Sequence, residues 1–200
     1  MAEPSNICKP VPLSTKRERP HVEIVIRKPA PEDAAMIRQL ALRAGSLDVN
    51  STYQYLLLCR DFSDTCRLAE ISGVIIAFLT AYRPPMRPEN LFIWQIAVDA
   101  AHRGQGIAQR MVLDVLESGL HPPAEHIEAT ISPSNQASQR LFRALAKHCN
   151  CRIEFGEGFG TGLFLPEVHE QEDTWRLGPI GSKFLTGKAF NGGDKHDQYV

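Results

Sequence analysis

Trp94-Gln95-Ile96-Ala97-Val98-Asp99-Ala100-Ala101-His102-Arg103-Gly104-Gln105-Gly106-Ile107-Ala108-Gln109-Arg110-Met111-Val112-Leu113 is the stretch that decides the fold. Leu91 to Val98 is an apolar, aromatic and β-branched run of strand length. From Ile107 the apolar residues recur as Ile107, Met111, Leu113, Val115 and Leu116, a helical spacing. A strand therefore passes through a glycine-bearing turn into a helix. At such a helix start several backbone N–H groups lack an intrahelical acceptor and the dipole is positive, which suits a phosphate or pyrophosphate. Gly104 and Gly106 let a ligand approach the backbone closely, and Arg103 adds a mobile positive charge. No Gly-Lys-Ser/Thr follows, so this is not a P-loop, and the Gly-x-Gly-x-x-Gly spacing of a dinucleotide fold is missing. The plainer reading is a strand–helix connection that needs glycine for its geometry alone.

Upstream, Met1 to His21 carries Pro4, Pro10, Pro12 and Pro20 among charged residues, and reads as a flexible leader over 1–21. Val22 to Arg27 alternates as a strand. Pro31, Glu32 and Asp33 suit a helix start, and Met36, Ile37, Leu40 and Ala41 form its apolar stripe as far as about Ala44. Gly45 breaks this helix, and Ser51 caps a second one through about Arg60. Thr65 to Glu70, the turn Ser72-Gly73 and Val74 to Arg83 read as an antiparallel hairpin. Pro84, Pro85 and Pro88 prevent continued pairing before the strand that enters the glycine turn.

Downstream, Gly119 and Pro122-Pro123 end the helix, and His126 to Ile131 is the next strand. Pro133-Ser134-Asn135 opens a helix that buries Ala137, Leu141, Phe142 and Leu145. Arg152 to Phe155 reads as a short strand, Gly156 to Pro166 as a Gly-rich excursion, and Glu172 to Leu177 as a last strand. The expected domain spans 22–177, with a mobile tail over 178–200 that is rich in Gly, Lys and Asp.

At 200 residues and 43% apolar composition the chain suits one domain with a real core. A formal charge of −1 leaves no basic footprint for nucleic acid, and no uninterrupted apolar run reaches the length of a membrane span. The first 20 residues show no apolar core of the secretory kind, so a cytoplasmic protein is expected. Five cysteines, an odd number without small-scaffold spacing, argue against a disulfide framework. Cys149-x-Cys151 beside His148 lacks the second ligand pair of a tetrahedral zinc site, so no metal is expected.

Arg103-Gly104-Gln105-Gly106-Ile107-Ala108, after a strand and at a helix start, resembles the acetyl-CoA motif Arg/Gln-x-x-Gly-x-Gly/Ala of the GNAT acyltransferases. The element order β-α-α-β-β-β-α-β-α-β-β matches that family as well. The fold it implies is α/β, a mixed sheet splayed at its centre, with helices on both faces and acetyl-CoA in the opening between the strand ending at Val98 and the one starting near His126.

Five separated blocks narrow the resemblance. These are Asp48-Val49-Asn50-Ser51-Thr52-Tyr53-x-Tyr55-Leu56-Leu57-Leu58-Cys59, Tyr82-Arg83-Pro84-Pro85-x-Arg87-Pro88, Trp94-Gln95-Ile96-Ala97-Val98, Pro133-Ser134-Asn135-x-Ala137-Ser138 and His169-Glu170-x-Glu172. They resemble the L-2,4-diaminobutyrate acetyltransferase family of ectoine biosynthesis, which acetylates the γ-amine of that diamino acid. The resemblance implies a homodimer. It places acetyl-CoA along Ile96, Ala97 and Val98, in the turn Arg103, Gly104, Gln105, Gly106, Ile107 and Ala108, and against Asn135 and Ser138. Trp94 and Gln95 then lie where GNAT enzymes have a β-bulge, whose freed backbone N–H polarises the thioester carbonyl.

For the diamino acid, opposite charges are required. Asp48 and Asn50 are either helix-start residues or polar contacts to the substrate, and Tyr53 and Tyr55 are either core aromatics or contacts. Arg83 or Arg87 is the candidate carboxylate clamp, since guanidinium binds carboxylate in a bidentate manner. Glu170 and Glu172 are the candidate proton acceptors and share one strand face if the strand starts early enough; His169 is a third. Phe142 stands where many GNAT enzymes carry a tyrosine that protonates the departing thiolate, and it cannot donate a proton. Direct transfer is expected, because no Gly-x-Ser-x-Gly elbow exists and neither Cys59 nor Cys66 has a histidine nearby in sequence.

Overall fold

One parallel strand pair amid antiparallel ones shapes this molecule. A parallel neighbour cannot be reached by a hairpin and needs a crossover, and the helix after the glycine turn supplies it. The computed structural model describes residues 23–45, 47–165 and 169–181. The leader expected over 1–21 and most of the expected tail lie outside the described residues.

The chain runs β1 (Val25–Arg27), α1 (Ala34–Ala44), α2 (Thr52–Asp61), β2 (Arg67–Ile71), β3 (Val74–Tyr82), β4 (Asn90–Val98), α3 (Ile107–Glu117), β5 (His126–Ile131), α4 (Gln136–Cys149), β6 (Arg152–Phe159) and β7 (Glu172–Gly178). The sheet has seven strands in the order β1-β2-β3-β4-β5-β7-β6. All neighbours are antiparallel except β4 and β5. Those two pair only from Asn90 to Phe92 against His126 to Glu128. Beyond this short contact they diverge, and the sheet opens as a fork.

Two apolar layers hold the halves. α3 and α4 cover one face with Ile107, Met111, Val112, Val115, Leu116, Phe142 and Leu145 against Leu79, Leu91, Ile127 and Trp175. α1 and α2 cover the other with Ile37, Leu40, Tyr55 and Leu58 against Leu68, Phe78 and Ala97. Burying each such side chain stabilises the fold by about 1.5–3 kcal/mol before entropy is counted. Ser51 caps α2 by accepting from the Gln54 N–H, and Asn135 caps α4 by accepting from the Ser138 N–H.

Three boundaries differ from the sequence expectation. The excursion expected from Gly156 begins later, because β6 continues to Phe159 and pairs with β7 through an irregularity between Gly156 and Phe159. A Cβ on Gly158 would stand 2.0 Å from the Glu172 carbonyl oxygen, so only glycine lets the strands approach there. The chain is also packed past Gly178, where the tail is expected to begin. β7 runs to Gly178, and Ile180 is buried with its N–H donating to the Glu125 carbonyl. The helix expected from Gly104 to about Ser118 begins only at Ile107, because Gly104 and Gly106 have φ of 76° and 73°.

Candidate active site

The fork between β4 and β5 opens into a cleft of about 1050 Å³. β4 contributes Trp94 and Ile96 to one wall, and the loop before α2 adds Asp48 and Asn50. β5 and β7 contribute Thr130 and Glu172 to the other, with His169 beside them. Asn135, Ser138 and Leu141 of α4 close one side, and Tyr82, Arg87 and Glu128 line the end where the strands meet.

β4 is bulged where it faces β3. Thr80 pairs with Gln95 and Ala81 with Ile93, so Trp94 has no partner in the ladder. The extra residue of a bulge leaves its backbone groups unpaired and re-aims its side chain. Trp94 is 37% exposed and lies on the cleft wall, not in the core.

Glu172 opens β7 and is braced there. Its Oε2 accepts from the Thr130 hydroxyl, and its Oε1 lies 3.9 Å from His169 Nε2. The same Nε2 is 3.5 Å from Asp48 Oδ2, so His169 stands between carboxylates from opposite walls. Its Nδ1–H donates to the Glu170 carbonyl at 2.6 Å, and Phe164 stacks on the ring at 4.0 Å. That carbonyl bond chiefly raises the imidazole pKa above its ordinary value; slight burial opposes it, and the charges of Asp48 and Glu172 add to it. The ring shared between two walls is something the sequence could not show, since His169 and Asp48 are distant along the chain.

The residues expected to bind substrate divide. Asp48, Asn50, Arg87, Trp94, Ile96, Asn135, Ser138 and Glu172 line the cleft. Asn50 Nδ2 is buried without a hydrogen-bond partner among the described residues. Arg83 does not reach the cleft: its guanidinium donates to the Pro122 and Pro123 carbonyls and ties two loops together. Arg87 donates instead to Glu128 at 2.8 Å, an acceptor that Asn90 also holds at 2.8 Å. Glu170 lies before β7 and accepts from the Ser134 N–H, so it shares no strand face with Glu172. Tyr53 is 68% exposed away from the cleft, whereas Tyr55 is buried. Gln95 lines the cleft as well, with its amide engaged at both ends, by the Tyr55 hydroxyl and the Asp48 carbonyl.

On the cofactor side, Ala97 is buried under α1 and α2, and Val98 packs against the opposite core cluster. Neither residue lines the cleft. Ile107 is buried likewise. Arg103 folds back with its Nε donating to the Val98 carbonyl. Gly104, Gln105 and Gly106 are exposed ahead of the first turn of α3, where Ile107, Ala108 and Gln109 N–H groups have no acceptor within the helix. Added Cβ atoms at Gly104 or Gly106 would meet nothing, which leaves open space for a pyrophosphate. Among the described residues no group of His, Cys, Asp or Glu is placed to hold a metal ion.

A parted sheet, a bulge at the fork and an anion-binding helix start together define an acyl-CoA-dependent acyltransferase. The chain belongs to the acetyltransferase (GNAT) family, whose model matches residues 34–146, and within it to the family of L-2,4-diaminobutyric acid acetyltransferases. The enzyme of that name from Shouchella clausii is 40% identical over 159 residues, 80% of this chain and 89% of that protein. The one from Streptomyces avermitilis is 42% identical over 158 residues, 78% of this chain and 88% of that protein. The diaminobutyrate acetyltransferase EctA from Paenibacillus lautus, solved with its substrate L-2,4-diaminobutyric acid and coenzyme A, superposes with a TM-score of 0.76. It is 40% identical, and the match covers 79% of this chain and 96% of that one.

Proposed function

We infer that this chain transfers the acetyl group of acetyl-CoA to the γ-amine of L-2,4-diaminobutyrate, giving N4-acetyl-L-2,4-diaminobutyrate for ectoine biosynthesis. The observation that carries the reading is the match to the Paenibacillus lautus enzyme, solved with that diamino acid and coenzyme A, together with a cleft of suitable chemistry in the matched region.

The γ-nitrogen arrives as an ammonium and must lose a proton before it attacks. Glu172 takes it: Thr130 holds one carboxylate oxygen and leaves the other toward the cleft. The nitrogen lone pair then forms a C–N bond to the thioester carbonyl carbon, and the π electrons move to oxygen. Backbone N–H at the Trp94 bulge stabilises that oxyanion. When the carbonyl reforms, the nitrogen gives its second proton to water, the C–S bond breaks and coenzyme A leaves as a thiolate. Phe142 is a buried aromatic packed on Trp175 and donates nothing, so water protonates the thiolate. Asp48 and Asn50 hold the α-amino end, and Arg87 binds the α-carboxylate. The first turn of α3 carries the pyrophosphate, while Asn135 and Ser138 face the pantetheine.

A covalent acyl-cysteine is disfavoured. Burial pushes the Cys59 thiol up to about 12, with Cys66 adding to it, and burial pushes Cys66 up to about 11. Both stay protonated and poorly nucleophilic near neutral pH. The enzyme acts as a homodimer in the cytoplasm in this reading, and light scattering returning only 22.3 kDa would remove the dimer. The activity is tested by release of free thiol from acetyl-CoA, which must depend on added diaminobutyrate. Binding of acetyl-CoA without such release would leave a non-catalytic acyl-CoA-binding module.

A further inference from the structure

A buried strut joins the two places where the substrates meet. Tyr55 on α2 is fully buried, and its hydroxyl donates to Gln95 Oε1 at 2.9 Å. Gln95 Nε2 donates in turn to the Asp48 carbonyl at 2.6 Å. The Gln95 backbone is fixed by Thr80, whose hydroxyl accepts from its N–H at 3.1 Å and donates to its carbonyl at 3.3 Å. Gln95 follows the bulged Trp94 directly. One side chain thus ties the bulge of β4 to the loop that carries Asp48 and Asn50.

The amide can serve this purpose in one orientation only. A flipped amide would turn Oε1 toward the Asp48 carbonyl oxygen, two acceptors facing each other. The Asp48 carbonyl, an acceptor only, therefore selects the working orientation, and the Tyr55 hydroxyl holds it by donating to Oε1. Little else holds Asp48, since its side chain is 88% exposed and its contact to His169 is 3.5 Å long.

We propose that Gln95, oriented by Tyr55, is a positioning residue that sets the distance from the β4 bulge to the Asp48–Asn50 loop, and so fixes which amine length reaches the thioester. This rests on the diaminobutyrate reading above. The strut touches neither the α3 turn nor α4, so its effect falls on the acceptor and spares acetyl-CoA.

Gln95→Glu keeps an acceptor for Tyr55 and sets a carboxylate against the Asp48 carbonyl. Tyr55→Phe keeps the ring that packs edge-on to Phe78 and removes only the hydroxyl. In each variant KM for diaminobutyrate rises about tenfold, the scale of one lost buried hydrogen bond. KM for acetyl-CoA stays within about twofold of the parent, and the preference for diaminobutyrate over ornithine, one methylene longer, shrinks. An unchanged KM for diaminobutyrate, or equal rises in both KM values, overturns the proposal. If the parent enzyme leaves diaminobutyrate untouched, the acceptor reading falls instead. Hydrogen exchange then judges the strut alone: faster exchange over residues 47–50 in both variants supports it, and unchanged exchange overturns it.

Discussion

Glu172 is held by a neighbour that gives it one free oxygen, and this decides what its loss should do. The Thr130 hydroxyl occupies Oε2, while Oε1 lies 3.9 Å from Nε2 of the neighbouring His169. Glu172→Gln keeps the shape and removes the carboxylate proposed to accept the proton. Turnover should fall by about 10²–10⁴-fold, the usual contribution of a positioned base. The deficit should be largest at low pH, where more of the acceptor amine is protonated, and should narrow as pH rises. A pH–rate profile parallel to the parent's would remove Glu172 from this role. His169 adds a second pH effect. Its raised pKa keeps it cationic to higher pH, where it pairs with Asp48 and Glu172 and competes with the substrate ammonium. KM for diaminobutyrate should therefore drop as pH rises through that raised value, and His169→Gln should flatten the drop; steady-state kinetics across pH checks it. Glu172 could be read from the sequence, but its separation from Glu170 could not. Period-two logic put both on one face only if the strand started early enough, whereas it begins at Glu172 and leaves Glu170 to accept from the distant Ser134 N–H. Arg83 and Arg87 were inseparable for a similar reason, because the fold of a proline-rich loop decides which one reaches the cleft.

At the scale of elements, the turn before α3 is the part most open to direct test. Gly106 has φ of 73°, a value proline cannot adopt, and it precedes the free N–H groups of the helix start. Gly106→Pro should weaken acetyl-CoA binding by tenfold or more, while circular dichroism shows the fold retained. Calorimetric titration with unchanged affinity would discard the cradle. Gly158 makes a different demand. A methyl group there would collide with the Glu172 carbonyl, so Gly158→Ala must push β6 from β7 beside the proton acceptor. Such overpacking costs about 1–3 kcal/mol, visible in denaturant unfolding, and should lower turnover with it. The strand–turn–helix was plain in the sequence because period and glycine spacing agreed. The end of β6 was not, since Gly156 and Gly158 read as loop when the close approach they permit cannot be seen in one dimension.

For the whole molecule, the fork between β4 and β5 organises everything. Three paired residues on each strand close it, and the two helical layers hold its arms at fixed distance around the cleft. The element order and the mixed sheet could be inferred in advance from alternating periodicities. The long-range pairings, His169 with Asp48 across the cleft and Gln95 with Tyr55 beneath one wall, belong to the folded state alone. Diaminobutyrate presents two amines, so the charges on the cleft walls must fix the α end and leave the γ-nitrogen at the thioester; such proximity can supply several orders of magnitude in rate. The most direct measurement is the NMR spectrum of the product formed from L-2,4-diaminobutyrate and acetyl-CoA. Acetate is expected on the γ-nitrogen and none on the α-nitrogen; α-acetylation, or no product from diaminobutyrate beside brisk acetylation of an unrelated amine, would contradict γ-transfer.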